Sequence, residues 1–157
     1  NGEEYDDNGE RAIFFARGVL ETVKKLRWSP DVIHCQGWMG YIVPLFIKAA
    51  YNSEPAFADT KVVTSVFADG LKKNIGDNFK NCLEFKDVTV DSLSAYKDDF
   101  DFMELGKLAI DNSDAVVEAE EGANPELIAY AKSKGIPVLA YPGEDYTVAY
   151  KKFYEEL

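Results

Sequence analysis

Apolar and polar positions follow two different rhythms along the chain. Over residues 10–27, apolar side chains recur every three or four positions, which is the spacing of an amphipathic helix with one buried face. Residues 101–112 show the same spacing and are predicted to form another such helix. Four shorter stretches are continuously apolar and rich in β-branched residues, a pattern typical of strands buried on both faces. These predicted strands cover residues 31–35, 61–67, 114–118 and 136–140.

Helical stretches separate the predicted strands. One covers residues 37–50 with an expected kink at Pro44, one covers residues 124–134 and ends before Gly135, and one closes the chain over residues 146–157. Residues 68–100 show no clear period. Strands joined by helices imply right-handed crossovers and a parallel sheet covered on both faces. The sequence therefore predicts a single α/β domain over residues 1–157, with a three-layer, Rossmann-like parallel sheet.

Composition narrows the possible partners. The chain has 157 residues, 46% of them apolar, and none of its apolar runs reaches the roughly 18 residues that a membrane helix needs. Lys and Arg number 17 against 28 Asp and Glu, and the net charge of −11 argues against nucleic acid and anionic membranes. Two cysteines cannot form a disulfide framework, so we expect a cytoplasmic protein with Cys35 as a buried free thiol. The oligomeric state stays open.

No common cofactor or metal motif is present. The chain lacks G-x-G-x-x-G and P-loop patterns, and it begins on a helix, so a phosphate-binding first unit is absent or lies upstream of Asn1. One histidine and two distant cysteines give no metal-ligand spacing. We therefore predict no cofactor and no metal site.

Ligands of an open parallel sheet bind at the carboxyl ends of its strands, which makes the residues after each predicted strand the candidates. His34, the only histidine, could be an acid, a base or a sugar ligand, although a buried strand histidine bonded to the backbone is more frequent. Gln36 and Trp38 could hydrogen-bond and stack on a sugar ring, with helix core as the alternative for Trp38. Asp69 follows the second predicted strand.

Three acids follow the third predicted strand. Glu118, Glu120 and Glu121 could supply an acid and a base, but alternation along a strand end turns them in different directions. A solvated edge is the more frequent role of such a cluster. No G-x-S-x-G pattern is present, so serine hydrolase chemistry is poorly supported.

Several segments resemble one enzyme family. They read D-N-G-E-R-A at 7–12, P-D-V-I-H-C-Q-G-W at 30–38, V-P-L-F-I-K at 43–48, P-A-F at 55–57 and K-V-V-T at 61–64. They resemble the bacterial glycogen synthase and plant starch synthase family, whose patterns are D-N-x-E-R-F, P-D-[VI]-[IV]-H-x-H-D-W, V-P-x-x-L-K, P-x-F and T-I-H-N. The likeness is strong over residues 7–64 and weaker over 102–143.

The resemblance implies a function and an architecture. The family transfers glucose from ADP-glucose to an α-1,4-glucan with a two-domain GT-B fold. The chain resembles the later part of the first, acceptor-side domain, so an α-glucan acceptor and ADP-glucose are the implied partners. The family's K-x-G-G loop would lie upstream of Asn1, and its donor domain with the acidic catalytic pair would lie downstream of Leu157. Residues 1–157 are thus expected to form an incomplete acceptor-side domain.

The departures from the family fall on its reactive positions. Gln36 and Gly37 stand where the family has the second histidine and the aspartate of H-x-H-D-W, and glutamine cannot take up a proton at neutral pH. Phe67 and Ala68 replace the polar pair of T-I-H-N. Two hypotheses follow: a fragment of a divergent glycosyltransferase with degenerate active-site motifs, or a non-catalytic domain that binds glucan or a protein and regulates polysaccharide metabolism.

Overall fold

The computed structural model describes residues 3–157. Its strands are β1 (Val32–Cys35), β2 (Lys61–Val66), β3 (Ala115–Glu118) and β4 (Val138–Leu139). Its α-helices are α1 (Asn8–Lys25), α2 (Val43–Leu45), α3 (Phe79–Leu83), α4 (Phe102–Asp111), α5 (Pro125–Ser133) and α6 (Tyr146–Glu155). In the described part of the chain, no helix combines the length and the apolar character needed to cross a membrane.

The four strands form one parallel sheet in the order β1-β2-β3-β4. In its register His34 pairs with Val63, and Ser65 pairs with Val117. The parallel α/β prediction is thereby confirmed, and all four predicted strands exist, although the last is only two residues long. Because the strands run in the same direction, the segments that follow them meet at one edge of the sheet.

The two faces of the sheet pack against different helices. Side chains of a strand alternate between faces, so Cys35, Val62 and Val116 lie in the larger core together with α1, α2, α4 and α5. The opposite face carries Val63, Ala115 and Val117, all fully buried. This second face packs against α6 through the side chains Tyr150, Phe153, Tyr154 and Leu157. The sheet is therefore the middle layer of three.

The helical segment after β1 changes its hydrogen-bonding pattern along its length. It runs as a 3-10 helix over Trp38–Ile42, as the short α2, and as a π-helix over Phe46–Ala50. Pro44 lies in α2 and has no backbone N–H, so a continuous α-helical ladder cannot pass through it. One helix with a kink was predicted here, and the structure shows a change of helix type.

The two ends of α5 have typical capping residues, whereas the residue before α1 makes no cap. The Asn124 side chain accepts hydrogen bonds from the backbone N–H groups of Glu126 and Leu127, which caps α5. Gly135, with a φ of 71°, follows the C-terminal end of this helix. Asp7 is the residue before α1, but its carboxylate accepts a bond from Arg11 and makes no cap.

Residues 68–100 are the stretch that sequence patterns leave undefined. They contain α3 and a 3-10 turn at Asp91–Leu93, joined by loops. Apolar side chains from this stretch still enter the larger core, namely Phe79, Leu83, Val88, Leu93 and Phe100. Phe79 and Leu83 come from α3, and the other three come from separate loops and turns, so no single period runs through the stretch.

Candidate functional site

His34 joins the sheet to α6. It lies on β1 and faces α6, the side of the sheet on which Ser65 of β2 also lies. Its Nε2 is 2.6 Å from the Ser65 hydroxyl oxygen, and its Nδ1 hydrogen-bonds the hydroxyl of Tyr154. The expectation of a backbone partner for His34 is wrong, because both ring nitrogens hydrogen-bond side-chain hydroxyls.

The electrostatics of His34 favour a neutral ring. Partial burial lowers the pKa of His34 from its ordinary value of 6.5. A neutral imidazole has one donor and one acceptor nitrogen, and hydroxyls can serve either. The ring of Tyr150 packs beside it, with the ring centroids 5.6 Å apart. With both nitrogens occupied, His34 holds β1, β2 and α6 together.

A cavity of about 280 Å³ lies at the carboxyl ends of the strands. It is lined by Gln36, Ser65, Phe67, Ala119, Tyr141, Gly143, Tyr146 and Tyr150. We call it the strand-end cavity. Gln36 is exposed at the end of β1, while the tyrosines come from α6 and from the loop before it. The wall combines aromatic rings with hydroxyl and amide groups, which is the composition of a small polar-ligand site.

The strand-end cavity is lined by hydrogen-bonding groups and aromatic rings, and not by the usual acids and bases of catalysis. None of its lining side chains is a carboxylate, an imidazole or an amine. Burial raises the pKa of Tyr150 above its ordinary value of 10, and the nearby Ser65 hydroxyl only partly offsets this. These groups offer hydrogen bonds and ring faces at neutral pH, but no general acid or base.

Trp38 and Asp69 lie outside this cavity. Trp38 is partly buried and packs against the larger core, which matches the helix-core alternative for part of its ring. Its Cβ is also close to Gly70, where an added Cβ would lie 3.5 Å away. Asp69 is exposed in the loop after β2. Of the four candidate residues, the structure therefore places Gln36 in the cavity wall and His34 in contact with two residues of that wall, Ser65 and Tyr150.

The acids at the carboxyl end of β3 accept hydrogen bonds from neighbouring loops. Glu118 accepts the backbone N–H of Tyr141 at 3.2 Å, and Glu120 accepts that of Ala68 at 2.6 Å. These bonds hold the loops after β2 and β4 against the end of β3. Two of the three acids thus position the rim of the cavity.

Tyr146, Tyr150 and Tyr154 are the contributors that sequence reasoning missed. Neighbouring rings in this series are 5.9 Å and 6.2 Å apart. Their i, i+4 spacing was a usable signal, because residues four apart lie on one helix face. Only the fold shows that this face turns towards His34 and Gln36.

Larger depressions lie elsewhere, on the outer surface of α1. One of about 450 Å³ is flanked by Phe14, Gly18 and Cys82, and one of about 570 Å³ by Phe14, Leu26 and Trp28. Both are open, and neither is lined by the residues directly after β1, β2, β3 or β4. Their volumes alone would make them the better candidates for a ligand site. Ligands of open parallel sheets bind at the carboxyl ends of the strands, however, and this favours the strand-end cavity.

Comparison with known proteins establishes the family. A family model described as "Starch synthase catalytic domain" matches residues 1–136. The chain belongs to this family. The parallel sheet and its flanking helices agree with the Rossmann-like, N-terminal half of a GT-B glycosyltransferase. Gln36, for which the motif resemblance implies a histidine in the family, lines the strand-end cavity.

Curated relatives match a shorter segment. Glycogen synthase of Chlorobium limicola is 46% identical over 66 residues, which is 42% of this chain and 14% of that protein. Glycogen synthase of Clostridium perfringens is 45% identical over 60 residues, 38% of this chain and 12% of that protein. Glycogen synthase of Vibrio parahaemolyticus is 42% identical over 66 residues, with shares of 42% and 14%. No solved structure matches the chain.

Proposed function

We propose that the strand-end cavity holds a glucosyl unit of an α-1,4-glucan, as the acceptor side of a glycogen or starch synthase-like glycosyltransferase that uses ADP-glucose. One observation carries the proposal. Gln36, at the position of the family histidine, lines a cavity whose other walls are tyrosine rings and hydroxyls. The matched segments cover only 12–14% of the curated relatives, so the activity of the whole protein belongs to the proposal.

The walls of the cavity suit a sugar. A pyranose has apolar C–H faces that pack on aromatic rings, and a rim of hydroxyls that need donors and acceptors. Tyr146 supplies an accessible ring, while the Gln36 amide offers two donors and an acceptor. Sites for drug-sized ligands span roughly 300–1,000 Å³. A volume of 280 Å³ therefore suits one sugar unit, with the rest of a glucan outside.

The four candidate residues have separate roles in this proposal. Gln36 hydrogen-bonds a glucose hydroxyl, and His34 acts as a positioning residue because it holds Ser65 and α6 in place. Asp69 is an exposed acceptor at the same sheet edge for a hydroxyl of a further glucose unit. Trp38 supports the loop after β2 through Gly70 and leaves part of its ring for the glucan.

A second candidate function rests on the chemistry that the cavity lacks. Its lining offers no acid or base near neutral pH, and both His34 nitrogens are occupied. Glucan binding without transfer would need nothing more than this lining. Transfer needs a donor site and an acidic pair on another domain, as the family resemblance implies. A donor domain downstream in the reading frame favours transfer, and a frame that ends near Leu157 favours binding alone.

The test is a calorimetric titration of the chain with maltoheptaose. We expect saturable binding that weakens about fivefold in Gln36→Ala, because one lost hydrogen bond costs about 1 kcal/mol. Tyr146→Ala removes the accessible ring and should weaken binding similarly. Val148→Ala is the matched control, since Val148 is another exposed apolar residue of α6 and does not line the cavity.

Two results would count against the proposal. One is the absence of saturable heat in the wild-type chain. The other is equal affinity in Tyr146→Ala, Gln36→Ala and Val148→Ala, which would place any binding elsewhere on the surface.

A further inference from the structure

The loop after β2 holds a carboxylate from a distant part of the chain. The two carboxylate oxygens of Glu4 accept hydrogen bonds from consecutive backbone N–H groups, that of Lys72 at 2.9 Å and that of Lys73 at 2.8 Å. The ammonium group of Lys73 also lies 3.5 Å from the Glu4 carbonyl oxygen and 3.9 Å from an Asp6 carboxylate oxygen. The backbone of this loop therefore accommodates an anion in a two-point contact.

The loop is anchored independently of Glu4. An added Cβ at Gly70 would come within 2.8 Å of the Phe102 ring, so the backbone there lies flat against the core. At the other end, the backbone N–H of Ile75 donates to the Phe100 carbonyl at 2.7 Å. Because both ends are held by buried aromatic residues, we expect the intervening N–H groups to keep their direction when Glu4 leaves.

We propose that the backbone N–H groups and side chains of Lys72 and Lys73 form a binding site for a phosphate-type oxyanion, which Glu4 occupies when no ligand is present. Consecutive N–H groups on one side of a turn make a concave anion site. Lysine ammonium groups add positive charge beside it. We call this the Lys72–Lys73 nest. It is independent of glucan binding in the strand-end cavity.

Charge favours phosphate over another carboxylate as the external ligand. A phosphate monoester carries roughly −1.5 to −2 at neutral pH, against −1 for Glu4, so it gains more from two lysines. The overall charge of −11 repels a doubly charged anion more than a singly charged one at long range, so the preference for phosphate comes from the two lysines beside the loop.

Competition with Glu4 sets the apparent affinity. Glu4 is four residues before the start of α1 at Asn8, so it stays close to the nest and competes as a tethered group. A free anion can bind only to the fraction of molecules in which Glu4 has left the nest. Its apparent dissociation constant is therefore the intrinsic constant divided by that fraction. The wild-type chain should therefore bind phosphate weakly, and removal of Glu4 should strengthen binding.

The experiment follows the amide signals of Lys72 and Lys73 by ¹⁵N NMR during titration with inorganic phosphate, and separately with ADP. Glu4→Ala opens the nest. Glu3→Ala is the matched control, because it removes the same charge from the same exposed segment. We expect both amides to shift on titration, with at least about fivefold tighter binding in Glu4→Ala than in Glu3→Ala or the wild type.

The two ligands identify the source of the oxyanion. Tighter binding of ADP than of phosphate would assign the nest to the diphosphate of a nucleotide, and equal binding would assign it to free phosphate. Unmoved Lys72 and Lys73 amides in Glu4→Ala would overturn the proposal. Equal affinity in Glu4→Ala and Glu3→Ala would overturn it too, because Glu4 would then not be a competitor.

Discussion

The hydroxyl of Tyr154 hydrogen-bonds Nδ1 of His34, a residue 120 positions earlier in the chain. This contact joins the last helix to the first strand of the sheet. The ring centroids of Tyr150 and Tyr154, one helical turn apart, also lie 5.6 Å and 5.8 Å from that of His34. Since Tyr150 lines the strand-end cavity, the His34 contact helps to fix one wall of the proposed glucan site.

Removal of that hydroxyl should destabilise the fold. In Tyr154→Phe the ring packing remains, but Nδ1 of His34 loses its partner in a partly buried place. We expect the free energy of unfolding, measured in urea, to fall by about 1–2 kcal/mol. Tyr146→Phe is the control, since Tyr146 is exposed on the same helix, and its change should stay within about 0.5 kcal/mol. Equal losses in the two variants would show that the His34 contact contributes no stability.

Stability should depend on pH through His34. Burial lowers the pKa of His34 in the folded chain, so below pH 6.5 the unfolded chain binds the proton more readily. The free energy of unfolding should therefore be unaffected by this group above pH 6.5, and should fall as the pH drops from 6.5 towards the lower, folded-state pKa.

This window isolates His34 because it is the only histidine and carboxylates titrate at about pH 4. Urea unfolding at about pH 7.5 and about pH 5.5 should show the loss in the wild type and a smaller one in His34→Gln. An identical pH dependence in both proteins would assign the loss to other groups.

Two glycines in helices should respond in opposite ways to alanine. Gly18 in α1 has no atom within 4 Å of an added Cβ, so Gly18→Ala should raise the free energy of unfolding by about 0.5–1 kcal/mol through helix propensity. Gly106 in α4 faces Leu127 of α5, with an added Cβ 2.6 Å from a Leu127 methyl. Gly106→Ala should lower stability by about 1–3 kcal/mol. Thermal unfolding of both variants measures this contrast, and a gain in Gly106→Ala would contradict the close packing of α4 on α5.

The Asn124 cap of α5 should contribute measurably to the free energy of unfolding. Asn124→Ala removes the acceptor for two backbone N–H groups and should cost about 1 kcal/mol of unfolding free energy in urea. Asp7→Ala provides the comparison, because Asp7 precedes α1 without a cap bond and pairs with Arg11 at the surface. Its cost should be less than half as large. A larger effect at Asp7 would mean that α1 depends on this residue more than its contacts indicate.

The sequence predicts the sheet well because its signals are local. Continuous β-branched runs specify strands, and residues such as Asn124 and Gly135 specify helix ends through their own backbone chemistry. The predicted ends of these elements lie within a few residues of the observed ones. Residues 68–100 give no such signal, since Phe79 enters the core from the short helix α3 and Phe100 from a separate loop.

The candidate site was only partly predictable because it is assembled from distant segments. Gln36 could be named from the end of β1 and from the family pattern. The partners of His34 could not, because Ser65 and Tyr154 come from another strand and from the last helix. Prediction of those contacts requires knowing which face of the sheet α6 covers.

The strand-end cavity is the proposed binding site for glucan. The most direct measurement is ¹⁵N NMR mapping of the chain during titration with maltoheptaose. We expect the largest shifts at the amides of Gln36, Ser65, Phe67 and Gly143, with the outer-surface residue Phe14 unmoved. Shifts confined to the surface of α1, or no shifts at saturating glucan, would contradict the claim.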